Sequence, residues 1–102
     1  MSSYAVLWSQ PRREVEAGKL ELEPGGIRFE GSRARRRAHV HRLRYREIEG
    51  VRIGRGAQER LCGRPSVVLD LAAGGALRIG LVDGPGKRGE LADELTRLSA
   101  KP

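Results

Sequence analysis

Apolar and polar residues alternate along most of this chain, and Gly- or Pro-containing breaks interrupt the alternation at short intervals. That is the period of half-buried strands joined by tight turns. Tyr4 to Trp8 predicts a first strand, ended by Ser9-Gln10-Pro11-Arg12-Arg13. In Gly18 to Glu23, Leu20 and Leu22 face one way and Lys19 and Glu21 the other. Pro24-Gly25-Gly26 supplies a turn, and Ile27 to Glu30 resumes the alternation, so a hairpin is expected. A polar loop from Gly31 to Arg37 follows. Ala38, Val40 and Leu43 then mark a fourth strand, with an irregularity expected at His41-Arg42 because the spacing slips by one residue. Ile48, Val51 and Ile53 mark a fifth strand, slipping near Gly50 as a bulge would. After a loop from Gly54 to Gly63, the triplets Val67, Leu69, Leu71 and Leu77, Ile79, Leu81 flank a Gly74-Gly75 turn.

The period then changes. Leu91, Leu95 and Leu98 stand at i, i+4 and i+7, the stripe of a helix lying on a sheet. Its expected span is 86–99, with Pro85 at its start, acids early, and Arg97 and Lys101 late, an order that suits the helix dipole. Seven antiparallel strands and one closing helix are therefore expected, over residues 1–102 as a single domain of 102 residues.

Composition narrows the class. Apolar residues make up 38% and Gly adds 14 residues, about half in all, within the range of folded domains. Cys62 is the sole cysteine, which fits a reducing compartment. The apolar run Tyr4 to Trp8 is too short for a signal-peptide core or a membrane span, so a cytoplasmic protein is expected.

Charge adds an asymmetry. Lys and Arg total 20 against 13 Asp and Glu, a net charge of +7. Arg33, Arg35, Arg36, Arg37, Arg42, Arg44 and Arg46 lie in one stretch with no acid before Glu47, and they equal the whole excess. Codon bias in a GC-rich genome explains the preference for Arg over Lys, but not the missing acids. The pattern implies a local positive surface on an otherwise balanced body.

Residues 17–31 (AGKLELEPGGIRFEG), 43–55 (LRYREIEGVRIGR) and 63–71 (GRPSVVLDL) give the chain a resemblance to the pleckstrin-homology-like superfamily, including bacterial pleckstrin-homology-like and GRAM-like domains. In those families a hydrophobic-x-Tyr-x-acid-Ile stretch enters a middle strand, as Leu43, Tyr45, Glu47 and Ile48 do here. The resemblance implies a bent seven-stranded antiparallel sandwich or partial barrel capped by the helix. It also implies a non-catalytic binding module for acidic lipid head groups, peptides or proteins. Inositol-phosphate binders of the superfamily use the loops between strands one and two, three and four, and six and seven. By this strand count those loops are 10–14, 32–37 and 73–76, and the first two are basic. The superfamily's phosphoinositide pattern has a Lys late in strand one and Arg-x-Arg in strand two. Here Ser9-Gln10 and Leu20-Glu21-Leu22 stand in those places, which argues against head-group-specific binding.

Arginine forks match phosphate or carboxylate oxygens. Near an anionic bilayer each adds on the order of 1 kcal/mol. Arg33, Arg35, Arg36 and Arg37 are the expected main contacts, with Arg12, Arg13, Arg42 and Arg44 in support; a solvated loop without a partner is the plain alternative. Attachment at the membrane periphery is the location this charge implies when the partner is lipid. Nucleic acid would use it too, but aromatics are only 4% of the chain and offer no stacking platform. His39 and His41 share a strand face, yet too few further ligands lie near for a metal site, and two surface histidines are expected. Gly84 to Gly89 matches G-x-G-x-x-G, but too little chain follows for a returning parallel strand. No cofactor and no catalytic constellation are expected. A self-association or protein-interaction module with incidental charge is the second reading, and sequence-blind nucleic-acid binding the third.

Overall fold

The computed structural model describes residues 3–10, 14–31, 39–82 and 85–100. Among these residues, seven antiparallel strands form a half-barrel closed by one helix: β1 Ser3–Ser9, β2 Glu16–Leu22, β3 Gly26–Gly31, β4 His39–Arg44, β5 Ile48–Gly54, β6 Ser66–Leu71, β7 Ala76–Leu81 and α1 Pro85–Ser99. A single sheet runs in the order β4-β3-β2-β1-β7-β6-β5, so β4 and β5 are its two outer strands. Tyr45–Glu47, a short 3-10 turn, carries the chain from one outer strand to the other.

The alternation seen in the sequence is the in–out alternation of the sheet. Tyr4, Val6 and Trp8 of β1, Leu20 and Leu22 of β2, and Ile27 and Phe29 of β3 are buried on the concave side. Val67, Leu69, Leu77, Ile79 and Leu81 line it from β6 and β7. Leu91 and Leu95 of α1 complete the same core at full burial, with Leu98 packed beside them. The helix rests chiefly on β5, with further contact to β6, β7 and the 3-10 turn.

Close backbone approach explains one glycine. A Cβ on Gly18 would stand 2.2 Å from the Glu30 carbonyl oxygen on β3, nearer than any real side chain approaches. The β2–β3 hairpin closes where Glu23 and Gly26 exchange backbone hydrogen bonds around Pro24-Gly25. Gly74 and Gly75 both have positive φ, as the β6–β7 turn requires. The expected bulge is present as a register shift between Ile48 and Gly50.

Four expectations change. β4 pairs with β3 without a slip, from Gly31 opposite His39 to Gly26 opposite Arg44. The irregularity expected at His41-Arg42 is therefore absent, and Val40 faces out, 45% exposed. His41 takes the inward place, stacked near Trp8 (centroids 6.2 Å) and Phe29 (5.9 Å), with Glu16 Oε2 3.1 Å from its Nε2. It is half-buried and not a surface histidine, because the shape of the sheet decides which parity faces the core. The first turn of α1 holds Lys87 and Arg88 and no acid; Glu90 comes one turn later. Finally, the segment between β5 and β6 is a folded cover. Leu61 is buried over Gly80, the Ser66 hydroxyl donates to the Glu59 carbonyl, and Arg78 donates to the Gln58 carbonyl at 2.6 Å and to Ser9 Oγ at 2.9 Å.

Candidate functional site

Strand direction decides where the connections leave the sheet. Trp8 lies opposite Glu16, Gly18 opposite Gly31, Gly31 opposite His39, and Ser9 opposite Arg78. The β1–β2, β3–β4 and β6–β7 connections therefore depart from one edge of the half-barrel, because Ser3–Ser9 is a strand and the expected count holds. Arg12 and Arg13 belong to the first of these connections, and Arg33, Arg35, Arg36 and Arg37 to the second; all six lie outside the described residues.

Arg42 and Arg44 are described. Both project from β4 onto the convex face, alternating with the inward His41 and Leu43, and both are exposed. Arg46 is exposed in the 3-10 turn that follows. None of the three has an ion pair among the described residues. On the neighbouring strand, directly opposite Arg42, the Arg28 guanidinium is held by Glu21 at 3.5 Å and Glu30 at 3.2 Å. Glu21 and Glu30 are thus engaged by Arg28, and neither β4 arginine has an ion pair among the described residues.

Beside them runs a groove of about 440 Å³ lined by Glu23, Gly25, Gly26, Ile27, Arg42, Leu43, Arg44 and Glu47. Tyr45, next along the chain, is tied to the same turn: the phenol donates to the Glu23 carbonyl at 2.6 Å, and the Tyr45 N–H donates to the Gly25 carbonyl at 3.4 Å. Burial, reinforced by the carboxylates of Glu23 and Glu94 against a smaller opposing effect of Arg97, raises the Tyr45 phenol above its ordinary value of 10.0. The groove's lining thus includes two carboxylates, Glu23 and Glu47, and the guanidinium groups of Arg42 and Arg44.

Elsewhere half of the described cations are paired with acids, and Arg78 and Arg88 are not among them. Arg52 is bonded to Glu59 and Asp70, Arg97 to Glu94, Lys87 to Glu90 and Lys19 to Glu21. Three exposed arginines that the sequence reading passed over, Arg55, Arg60 and Arg64, lie in the cover segment without a carboxylate partner among the described residues. The even body expected around the arginine stretch is thus interrupted by a second, smaller basic group. Cys62 is exposed at φ 53 in the tight turn between Leu61 and Arg64. No group of three potential metal ligands occurs among the described residues, and no helix there is long and apolar enough to cross a membrane.

No protein-family model and no curated protein matches the sequence. Among solved structures, the chain is similar to the C-terminal domain of an unknown protein from Leishmania infantum. The TM-score is 0.74 and the identity 14%, over 99% of this chain and 84% of that one. The likeness is one of fold.

Proposed function

We propose that this is a pleckstrin-homology-like binding module, without catalytic activity, that docks an anionic partner, an acidic membrane surface or an acidic protein, at the β4 side of its sheet. The observation that carries the reading is the state of Arg42, Arg44 and Arg46. All three are exposed and have no ion pair among the described residues; Arg42 and Arg44 lie on the strand, and Arg46 in the turn, that follow Arg33, Arg35, Arg36 and Arg37. Guanidinium groups held ready without an internal carboxylate lose no intramolecular pair when a partner's oxygens arrive. Because the contacts are electrostatic, attachment is reversible and weakens with salt. A cytoplasmic protein, peripheral to the membrane when the partner is lipid, is the corresponding location.

Nucleic acid fits less well. Tyr4, Trp8, Phe29 and Tyr45 are at most 7% exposed, so the chain's aromatic rings are spent on the core and none is offered for base stacking. Self-association is the second reading, favoured by the two outer strands β4 and β5, whose far sides carry no neighbouring strand among the described residues.

Sedimentation with anionic vesicles and binding to polyglutamate, titrated with salt alongside duplex DNA, test the proposal. Replacing Arg33, Arg35, Arg36, Arg37, Arg42 and Arg44 with Ala should abolish binding to the preferred anion, while Arg88→Ala and Arg97→Ala should leave it intact. Equal losses in both sets would refute a localised surface. Duplex DNA outcompeting both other probes would replace the reading with nucleic-acid binding.

A further inference from the structure

We infer that the outer edge of β4 accepts an acidic segment of another polypeptide as an added β-strand, with an acid–apolar–acid pattern. This rests on the reading of β4 as the anionic-partner side and names the partner's class and pose.

The phase of the ladder decides which groups face outward. Glu23 and Gly26 exchange hydrogen bonds across the β2–β3 turn, so Gly26, Arg28 and Glu30 direct their backbone groups toward β2. The alternate residues Ile27, Phe29 and Gly31 direct theirs toward β4. The Tyr45 N–H to Gly25 carbonyl bond agrees, since it belongs to the same series of bonded pairs as Leu43 with Ile27, His41 with Phe29 and His39 with Gly31. By exclusion, the N–H and C=O groups of Val40, Arg42 and Arg44 point away from the sheet, and none has a backbone partner among the described residues. They form a row of donors and acceptors repeating every ~7 Å, the template on which a strand adds.

The side chains of these same residues select the occupant. Val40, Arg42 and Arg44 stand exposed on the convex face. On an added strand, alternate residues would face Arg42 and Arg44 at cross-strand distance, where opposite charges attract and like charges repel. The residue between those two acids would point to the concave side, beside the half-buried Leu43 and the groove floor at Ile27. Glu23, paired with the Gly26 that lies opposite Arg44, and Glu47, three residues after Arg44, disfavour a third acid beyond Arg44. A second copy of this chain is a poor occupant, because the antiparallel register that pairs the outward residues 40, 42 and 44 of two β4 strands sets Arg42 against Arg42. Lipid head groups would engage the arginines but leave the backbone row unused.

The test uses the full chain and a synthetic peptide with a Glu-Leu-Glu-Leu core. Three comparison probes accompany it: a scrambled isomer of equal charge, the same peptide N-methylated at alternate amides, and vesicles of mixed anionic and zwitterionic phospholipid. The alternating peptide should bind and protect the Val40, Arg42 and Arg44 amides from exchange. N-methylation should weaken it by about tenfold or more. Arg42→Glu with Arg44→Glu should lose this peptide and gain its Lys-Leu-Lys-Leu counterpart. Val40→Pro removes one outward donor and should weaken the alternating peptide while sparing binding to vesicles. Equal binding of the scrambled and N-methylated peptides overturns strand addition while leaving electrostatic docking standing. Failure of every anionic probe overturns both readings.

Discussion

β4 and β5 are the outer strands of one sheet, and both send arginines to its convex face. On β5, Arg52 is held by Glu59 and by Asp70 of the adjacent strand, and its guanidinium is kept charged first by the Glu59 bond and then by Asp70. The helix also packs against β5. On β4, Arg42 and Arg44 have no carboxylate partner among the described residues. The same residue type thus serves internal order on one edge and is left for an external partner on the other. Sequence distance does not separate the two cases: Asp70 and Glu59 reach Arg52 only because β6 and the cover segment fold back beside it. An arginine's role here is set by whether the topology returns an acid to it.

The strongest way to break the comparison is to remove what anchors each edge. Phe29 is fully buried, stacks on Trp8 with centroids 4.8 Å apart, and supports His41 of β4. Phe29→Ala should cost about 3–5 kcal/mol and lower the melting temperature by well over ten degrees, roughly. Leu95→Ala, beneath the helix, should cost about 2–5 kcal/mol. Hydrogen exchange distinguishes them: the first should expose β4 amides earliest, the second those of α1 and β5. A uniform rise in both variants would show that the two edges are not separately anchored.

Much of this fold was legible because strand parity is written in residue hydrophobicity. The β2–β3 hairpin, the Gly74-Gly75 turn, the bulge near Gly50 and the Leu91–Leu95 stripe all follow from local pattern. β4 was misread because its inward positions are His41 and Leu43 while Val40 lies outside; an imidazole that stacks on Trp8 and Phe29 reads as polar in sequence. The cover segment was missed for a related reason. Val67-Val68-Leu69 breaks the alternation, and the continuous apolar run was the signal that β6 is covered on both faces. Arg42 and Arg44 were legible as part of a basic stretch. Their freedom from Glu21 and Glu30 was not, because those acids are claimed by Arg28 through cross-strand geometry.

Tyr45, at the crossing between the edges, sharpens the picture with a smaller effect. Its raised phenol means that the folded state holds the proton more tightly than the unfolded chain. That contribution is complete below the ordinary value of 10.0 and is lost as pH rises through the higher folded value. Tyr45→Phe should therefore cost about 1 kcal/mol at neutral pH, for the lost bond to the Glu23 carbonyl. It should also flatten the alkaline decline in stability, read from denaturant midpoints between about pH 9 and about pH 11. An unchanged alkaline slope would assign that decline to other groups.

The smallest effect is the most direct test of the edge comparison, because its sign differs between the strands. Arg52→Gln removes a guanidinium bonded to two carboxylates and leaves Glu59 and Asp70 near each other without a cation; stability should fall, less so at high salt. Arg42→Gln removes a cation lying opposite Arg28, where like charges repel. Stability should hold or rise, by less than about 0.5 kcal/mol, and salt should erase the gain. Paired urea titrations at low and high ionic strength read both signs. A loss in both variants would mean that Arg42 has an internal role after all, and β4 would then be as closed an edge as β5.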